Sequence, residues 1–288
     1  MGIDIYALTF LKFISNRRDF NKTLTIGRQS LLIDEQEFED IFRKKKNYID
    51  DKYCEEMLQK NLSASQVDSL DNSKYENATF IHDMNTDIPL SMHNQYNTVI
   101  DAGSLEHIFN VSQAIKNCSQ LLKEGGQVIH ILPANNFCGH GFWQFSPELF
   151  FSLYSENNGY EDLFVFLVDL TNPYKWYRIK KPNFGDRLNI SSSNQMCIFV
   201  SARLKSKTFK HDNIQQSDYV YRWNNKEELR KTELYFYKFK KEARKIIKKN
   251  YLFGPLYWKI MGYKFRKNNS LKSSRENISL VKASRMVE

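Results

Sequence analysis

The ten residues from Asn135 to Gln144 gather most of the groups in this chain that could handle a polar ligand. His140 lies between Gly139 and Gly141, so the backbone on either side of it can turn sharply. An imidazole with an ordinary pKa near ~6.5 can take a proton from a hydroxyl or an amine at neutral pH. On that reading His140 is a catalytic base. On the plainer one it bonds to loop backbone and holds the Gly-His-Gly-Phe turn in shape. Asn135, Asn136 and Gln144 carry amides that suit sugar hydroxyls and suit turns equally well. Phe142, Trp143 and Phe145 are packing groups, one of which can also stack on a substrate. Acids stand where apolar runs end, at Asp71, Asp83 and Asp101, and the pair Glu106-His107 follows the last of these. Glu106 and His107 have two readings, a chemical role or a polar helix entry with capping value. The cysteines, Cys54, Cys118, Cys138 and Cys197, form no CxxC pair, and no Cys/His cluster has zinc spacing, so no metal site is read here.

These groups need elements to hold them. Residues 96–102 read as an apolar strand. A helix follows, capped by Asn110, with Val111, Ala114, Ile115, Cys118, Leu121 and Leu122 on one face and Gly125 as its C′ residue. A second strand, 127–132, ends at Pro133. That order is a βαβ unit, and in open α/β sheets the ligand crevice lies outside the carboxyl ends of the strands. Upstream, residues 3–15 suggest a short helix on the edge of the domain, and residues 23–33 a strand, a turn at Gly27 and more apolar chain. Asp34 and Glu37 form a capping box before an apolar helical face, with Ile33 and Phe38 as its staple. Strands over 66–71 and 78–84 each end in an acid. Downstream, Ser146-Pro147-Glu148 starts a helix that ends at Asn158-Gly159, and strands follow over 163–170 and 195–204. Alternating elements of this kind predict an α/β fold with a mostly parallel sheet flanked by helices.

The 288-residue chain is 41% apolar, enough for a substantial core and against global disorder. Its net charge of +9 is uneven. Residues 221–288 hold 19 Lys and Arg against 6 Asp and Glu, a net of +13, so the remainder is slightly acidic. No secretory signal is visible, because Asp4 comes early and Arg17-Arg18 follow the apolar run. No uncharged apolar run approaches ~20 residues. A reducing, cytoplasmic setting is the expectation.

With these residues on the page, a family likeness follows. VIDAGSLEHIFN followed by LLKEGGQVIHILP resembles the second half of class I S-adenosylmethionine-dependent methyltransferases. The likeness is closest to small-molecule, methyltransferase-11-like enzymes with a strand–EH–helix–LLK-GG signature. GHGFWQFSPELFF resembles a bacterial subgroup associated with surface-sugar biosynthesis. The likeness spans roughly residues 23–204 and is tight over 78–151. It implies a Rossmann-like sheet of the class I methyltransferase type, with S-adenosyl-L-methionine as cofactor and methyl transfer to O or N of a small polar acceptor, such as a sugar. Residue by residue, it implies that Gly27 and Arg28 meet the cofactor after the first strand. It gives Asp71 the ribose hydroxyls, Asp83 the adenine amino group and Met84 the ring. Asp101, Ala102 and Gly103 would line the methionine portion. Glu106-His107 would begin the helix-side wall. Read from the residues themselves, His107, Asn135, Asn136 and Gln144 are the candidate acceptor-side groups, with His140 as the base.

One departure stands out. The family's first strand ends in an acid and a glycine-rich turn, whereas TLTIGRQSL has a single glycine. Arg28 and Gln29 either compensate, for example by an Arg28 bond to the methionine carboxylate, or fill the pocket. A filled pocket would make the chain a cofactor-free, Rossmann-like scaffold. The expected organisation is a methyltransferase-like domain over 1–204, a linker over 205–225 and a basic, aromatic-rich helical extension over 226–288. Residues 226–249 read as a basic helix, 251–263 as broken by Gly254-Pro255, and the chain beyond Asn268 as frayed. The extension has three readings: a solvated charged face, a nucleic-acid contact for which no recognised module is present, and a peripheral contact with the inner face of a membrane through 240–258.

Overall fold

The computed structural model describes residues 2–50, 52–183, 185–208, 214–225, 253–271 and 277–287. In chain order the elements are β1 (Gly2–Ile3), α1 (Ile5–Ser15), β2 (Asn21–Ile26), β3 (Ser30–Leu31), α2 (Glu35–Phe42), α3 (Glu55–Asn61), β4 (Ala64–Asp71), β5 (Phe80–Ile81), β6 (Tyr96–Ala102), α4 (Val111–Leu121), β7 (Leu122–Asn135), α5 (Pro147–Leu153), β8 (Tyr160–Asp169), β9 (Lys175–Ile179), β10 (Met196–Leu204), α6 (Ser217–Asn224), α7 (Phe253–Asn269), β11 (Ile278–Lys282) and α8 (Ser284–Val287).

Among the described residues, nine of the strands form one sheet in the order β5-β4-β2-β6-β7-β10-β8-β9-β11. The first five are mutually parallel. Strand β10 then runs antiparallel to both β7 and β8, and β9 and β11 continue antiparallel. From β2 the chain moves outward to β4 and β5, then returns to the other side of β2 for β6 and β7. That reversal opens a crevice at the carboxyl ends of β2 and β6. The Rossmann-like α/β architecture expected from the sequence is therefore present.

Helices on both faces explain the near-continuous apolar runs in the central strands. Val99 and Val128 face one core, with Ile115 and Cys118 of α4 and Phe150 of α5. Their neighbours Ile100 and Ile129 face the other, with Phe10 and Ile14 of α1, Phe38 of α2 and Met57 of α3. Helix α1 is not the edge element expected. Phe10 packs within 5.5 to 6.3 Å of Phe199, Phe166 and Trp176, in the middle of one face. Burial of each such side chain contributes about 1.5–3 kcal/mol. The Asp34–Glu37 capping box of α2 forms as expected.

Further expectations change in the structure. The strand expected over 78–84 shrinks to Phe80–Ile81, both exposed, because this short outermost strand has only β4 beside it. Gly125 is not the C′ residue of α4: the helix stops at Leu121, and Gly125 sits in a bulge at the start of β7, where Tyr96 pairs Leu122 but Thr98 pairs Gln127. Gly254-Pro255 opens α7 and does not break it, since proline fits a first helical turn. Finally, the supposedly frayed C-terminal chain supplies β11, which pairs along all five residues with β9. The stretch read as a linker contains α6. The basic helix expected over 226–249, including Lys240 to Lys249, lies outside the described residues. Among the described residues, no helix is long and apolar enough to cross a membrane.

Candidate functional site

A cleft of about 330 Å³ occupies the crevice where the strand order reverses, lined by Gly27, Asp71, Asp83, Met84, Gly103 and His107 among others. Each of these follows the end of a parallel strand. Gly27 closes the turn after β2 at φ +73°, and its N–H donates to Leu70 O at 2.7 Å. Ser104 ties the same turn from the other side, donating from Oγ to Ile26 O at 2.6 Å. Asp71 ends β4, where one carboxylate oxygen accepts from Ser73 N. Asp83 accepts from both Asn85 N and Asn85 Nδ2, and the backbone bond first, then the amide bond, hold its carboxyl below the usual range. Met84 is buried, with Asn117 Nδ2 donating to its carbonyl. Of the residues expected at the cofactor, Gly27, Asp71, Asp83, Met84 and Gly103 thus meet at one cleft.

Arg28, Asp101 and Ala102 do not line it. Arg28 swings away, donating from Nε to Glu55 Oε1 at 2.7 Å and from Nη1 to the carbonyl of Glu76, with its guanidinium 3.9 Å over the Tyr53 ring. Gln29 folds beneath the turn and donates to Ile26 O at 2.7 Å. The two long polar side chains after Gly27 therefore leave the cleft open. Asp101 and Ala102 face inward because β6 is buried on both sides. One Asp101 oxygen accepts from the backbone of Ser104 and Leu105, fixing the loop that carries Gly103. The other lies 2.9 Å from His130 Nδ1, and His130 Nε2 lies 2.6 Å from the Tyr154 hydroxyl. With the carboxylate accepting from Nδ1–H, Nε2 accepts a hydrogen bond from the Tyr154 hydroxyl, giving one paired chain through the core. A lone histidine in the apolar run VIHIL was the available signal for that chain, since a buried polar group needs partners.

Glu106, His107 and His140 cluster beside the cleft. His107 lines it directly and His140 stands behind, the two rings edge to face with centroids 4.9 Å apart. Glu106 is fully buried, and neither of its carboxylate oxygens has a hydrogen-bond partner. Burial, reinforced by the Asp101 charge, pushes its carboxyl up to about 8. Burial and the neighbouring His140 push His107 down, which favours a neutral imidazole. His140 does not bond to loop backbone through its ring; its Nε2 is buried without a hydrogen-bond partner.

The amides expected to bind substrate hold the loop instead. Asn135 and Asn136 donate to Ser192 O, Asn136 also donates to Asn194 O, and Gln144 accepts from Phe137 N. None of the three lines the cleft: Asn135 and Asn136 bind the chain entering β10, and Gln144 binds back within the loop after β7. Among the three aromatics, Phe145 is core, whereas Phe142 is exposed and packs edge to face on exposed Phe109, next to cleft residue Ile108. Trp143 donates from Nε1 to Ile108 O at 2.9 Å.

No protein-family model and no curated protein matches the chain. Among solved structures, a protein from Bacillus halodurans C-125 described as a methyltransferase is 12% identical, with a TM-score of 0.41 over 71% of this chain and 100% of that one. A SAM-dependent methyltransferase from Thermotoga maritima is 12% identical, with a TM-score of 0.37 over 70% of this chain and 92% of that one. The trans-methyltransferase CalH, in complex with SAH, is 12% identical, with a TM-score of 0.38 over 69% and 57% of the two chains. Likeness this distant assigns no role to any residue.

Proposed function

We propose that the chain is a class I S-adenosylmethionine-dependent methyltransferase acting on an oxygen or nitrogen of a small polar acceptor, a sugar or glycan precursor. The open cleft carries this reading, since a scaffold that had lost its cofactor would fill it with Arg28 or Gln29. Its volume of about 330 Å³ falls within the ~300–1,000 Å³ usual for small-ligand sites. Its chemistry suits the cofactor: Asp71 offers acceptor oxygens for a vicinal diol, Met84 and Ile108 offer apolar wall, and Gly27 and Gly103 bare the backbone. When bound, the cofactor supplies an electrophilic methyl group on a sulfonium. The chain's own contribution is to hold the acceptor in line with that methyl, which supplies much of the acceleration. The exposed Phe109–Phe142 pair gives the apolar face of a sugar ring a platform beside the cleft, and neutral His107 places a proton acceptor in its lining.

Titration calorimetry tests the reading: S-adenosylmethionine is expected to bind in the micromolar range, and no heat at millimolar cofactor overturns it. The reading extends to a peripheral membrane contact through α7. That helix exposes Leu256, Trp258, Ile260, Tyr263 and Phe265 beside Lys259, Lys264, Arg266 and Lys267. Aromatic anchors among basic residues suit an anionic lipid surface.

A further inference from the structure

Glu106, His107 and His140 bring three metal-binding atoms within 4.8 Å of one another, the one such group among the described residues. We propose that they form a binding site for a single divalent first-row transition cation of the zinc class, with its remaining coordination positions open to the cleft.

The unmade bonds are the main argument. Glu106 Oε1 lies 3.4 Å from His140 Nε2 and 3.9 Å from His107 Nε2. Neither carboxylate oxygen of Glu106 and not His140 Nε2 has a hydrogen-bond partner, although all three atoms are buried. Native proteins rarely leave buried polar atoms unpaired. Donors that converge without hydrogen bonds to each other can share a bound ion. A zinc-class ion binds nitrogen and oxygen at about 2.0–2.2 Å, which needs donor atoms roughly 3.2–3.6 Å apart. The Glu106–His140 separation already meets this, and His107, at 3.9 Å from Glu106 Oε1, would have to draw closer.

The loop carrying His140 is pressed onto Glu106. Phe142 N donates to Glu106 O at 2.7 Å, and a Cβ on Gly141 would meet that same oxygen at 2.7 Å. The glycine, at φ +67°, thus permits the close approach that aims His140 at the carboxylate. Two imidazoles with one carboxylate favour zinc, iron, cobalt or nickel over magnesium or calcium, which prefer all-oxygen shells. Three protein ligands also leave positions free for a substrate, as in catalytic sites and unlike closed structural ones. His107 lines the cleft, so an ion it held would border that space. There the cation would draw electron density from an acceptor hydroxyl. It would lower the pKa of that hydroxyl, so that its proton could pass to water and leave the oxygen a stronger nucleophile. That use rests on the methyl-transfer reading; the cation site itself does not.

The test uses the full chain, stripped with a chelator and dialysed. Titration with Zn²⁺, and with Co²⁺ followed by visible absorption, is expected to give one ion per chain, while Mg²⁺ at millimolar concentration is expected to give none. Replacement H140A, in a half-exposed loop, and E106Q are each expected to weaken Zn²⁺ binding by about 100-fold or more. Replacement H93A, away from the cluster, is expected to leave it unchanged. Absence of one-to-one binding, or H140A binding Zn²⁺ as tightly as the wild type, overturns the site. Calorimetry with S-adenosylmethionine on the same samples separates the two proposals. Cofactor binding without cation binding overturns the cation site alone, and cation binding without cofactor binding supports the site while overturning methyl transfer.

Discussion

A methyl group at position 27 would lie 2.8 Å from Ser104 Oγ and 3.2 Å from Gln29 Nε2, on a residue already at φ +73°. Both contacts are polar atoms fixed by Ile26 O, so neither can move aside without losing a buried bond. Gly27→Ala is therefore expected to lower stability by about 1–2 kcal/mol. It should also weaken S-adenosylmethionine binding tenfold or more, because the turn borders the cleft. A thermal melt and calorimetry on the purified variant check both. At this scale the sequence was legible where a residue's type is bound to its backbone, as with Gly27, or to a strand end, as with Asp71. It misled where two side chains of similar type have opposite surroundings. Asp71 and Asp101 both close apolar strands, yet only Asp71 reaches the cleft, because Asp101 is claimed by His130 and the Ser104 turn. That claim depends on contacts 29 residues apart, which no local pattern carries.

The cleft wall formed by Asp83, Met84 and Asn85 is held by helix α4 more than by strand β5. Asn117 sits among the buried residues of α4, and its Nδ2 donates to Met84 O and to Thr86 O while its Oδ1 accepts from Gln113 Nε2 and Ile88 N. Asn110, the cap of the same helix, donates to Asn85 Oδ1 and Asn85 O. The helix thus fixes the loop of Asp83, Met84 and Asn85 that β5, two residues long, is too short to hold. Asn117→Leu fits a buried face in size but leaves these backbone groups unpaired. It is expected to cost about 2–4 kcal/mol of stability and to weaken cofactor binding, while Zn²⁺ binding at the cluster stays unchanged. Urea denaturation and paired titrations would show the split; equal loss of both ligands would mean general unfolding instead. The apolar stripe of α4 was legible from its helical spacing. Asn117 was not, because an amide among apolar residues shows its purpose only when the loop it bonds is known.

At the scale of the whole molecule, the C-terminal chain is both part of the fold and the candidate membrane contact. Strand β11 completes the sheet against β9, and Ala283 and Met286 are buried with the core of the α1 face. The sequence hid this, since ISLVK is a short alternating run in a Ser- and Lys-rich stretch, and an edge strand needs a partner before its pattern means anything. Deleting residues 226–288 would therefore strip a strand and the core residues Leu271, Ile278, Ala283 and Met286 along with α7, and loss of lipid binding would prove nothing about the helix. Point replacements avoid that confusion. Trp258 and Phe265 are exposed and lie two turns apart on α7, so W258S with F265S removes anchors without emptying the core. Lys259→Glu and Lys264→Glu on the same helix reverse the charge that attracts anionic lipid, at about 1 kcal/mol per basic residue. Flotation with vesicles of phosphatidylglycerol and phosphatidylcholine is expected to carry the wild type upward at low salt. The double aromatic and double charge variants should each shift it towards the soluble fraction, with an unchanged melting temperature. Flotation equal to the wild type in both variants would remove the membrane from the account and leave α7 a solvated, basic face.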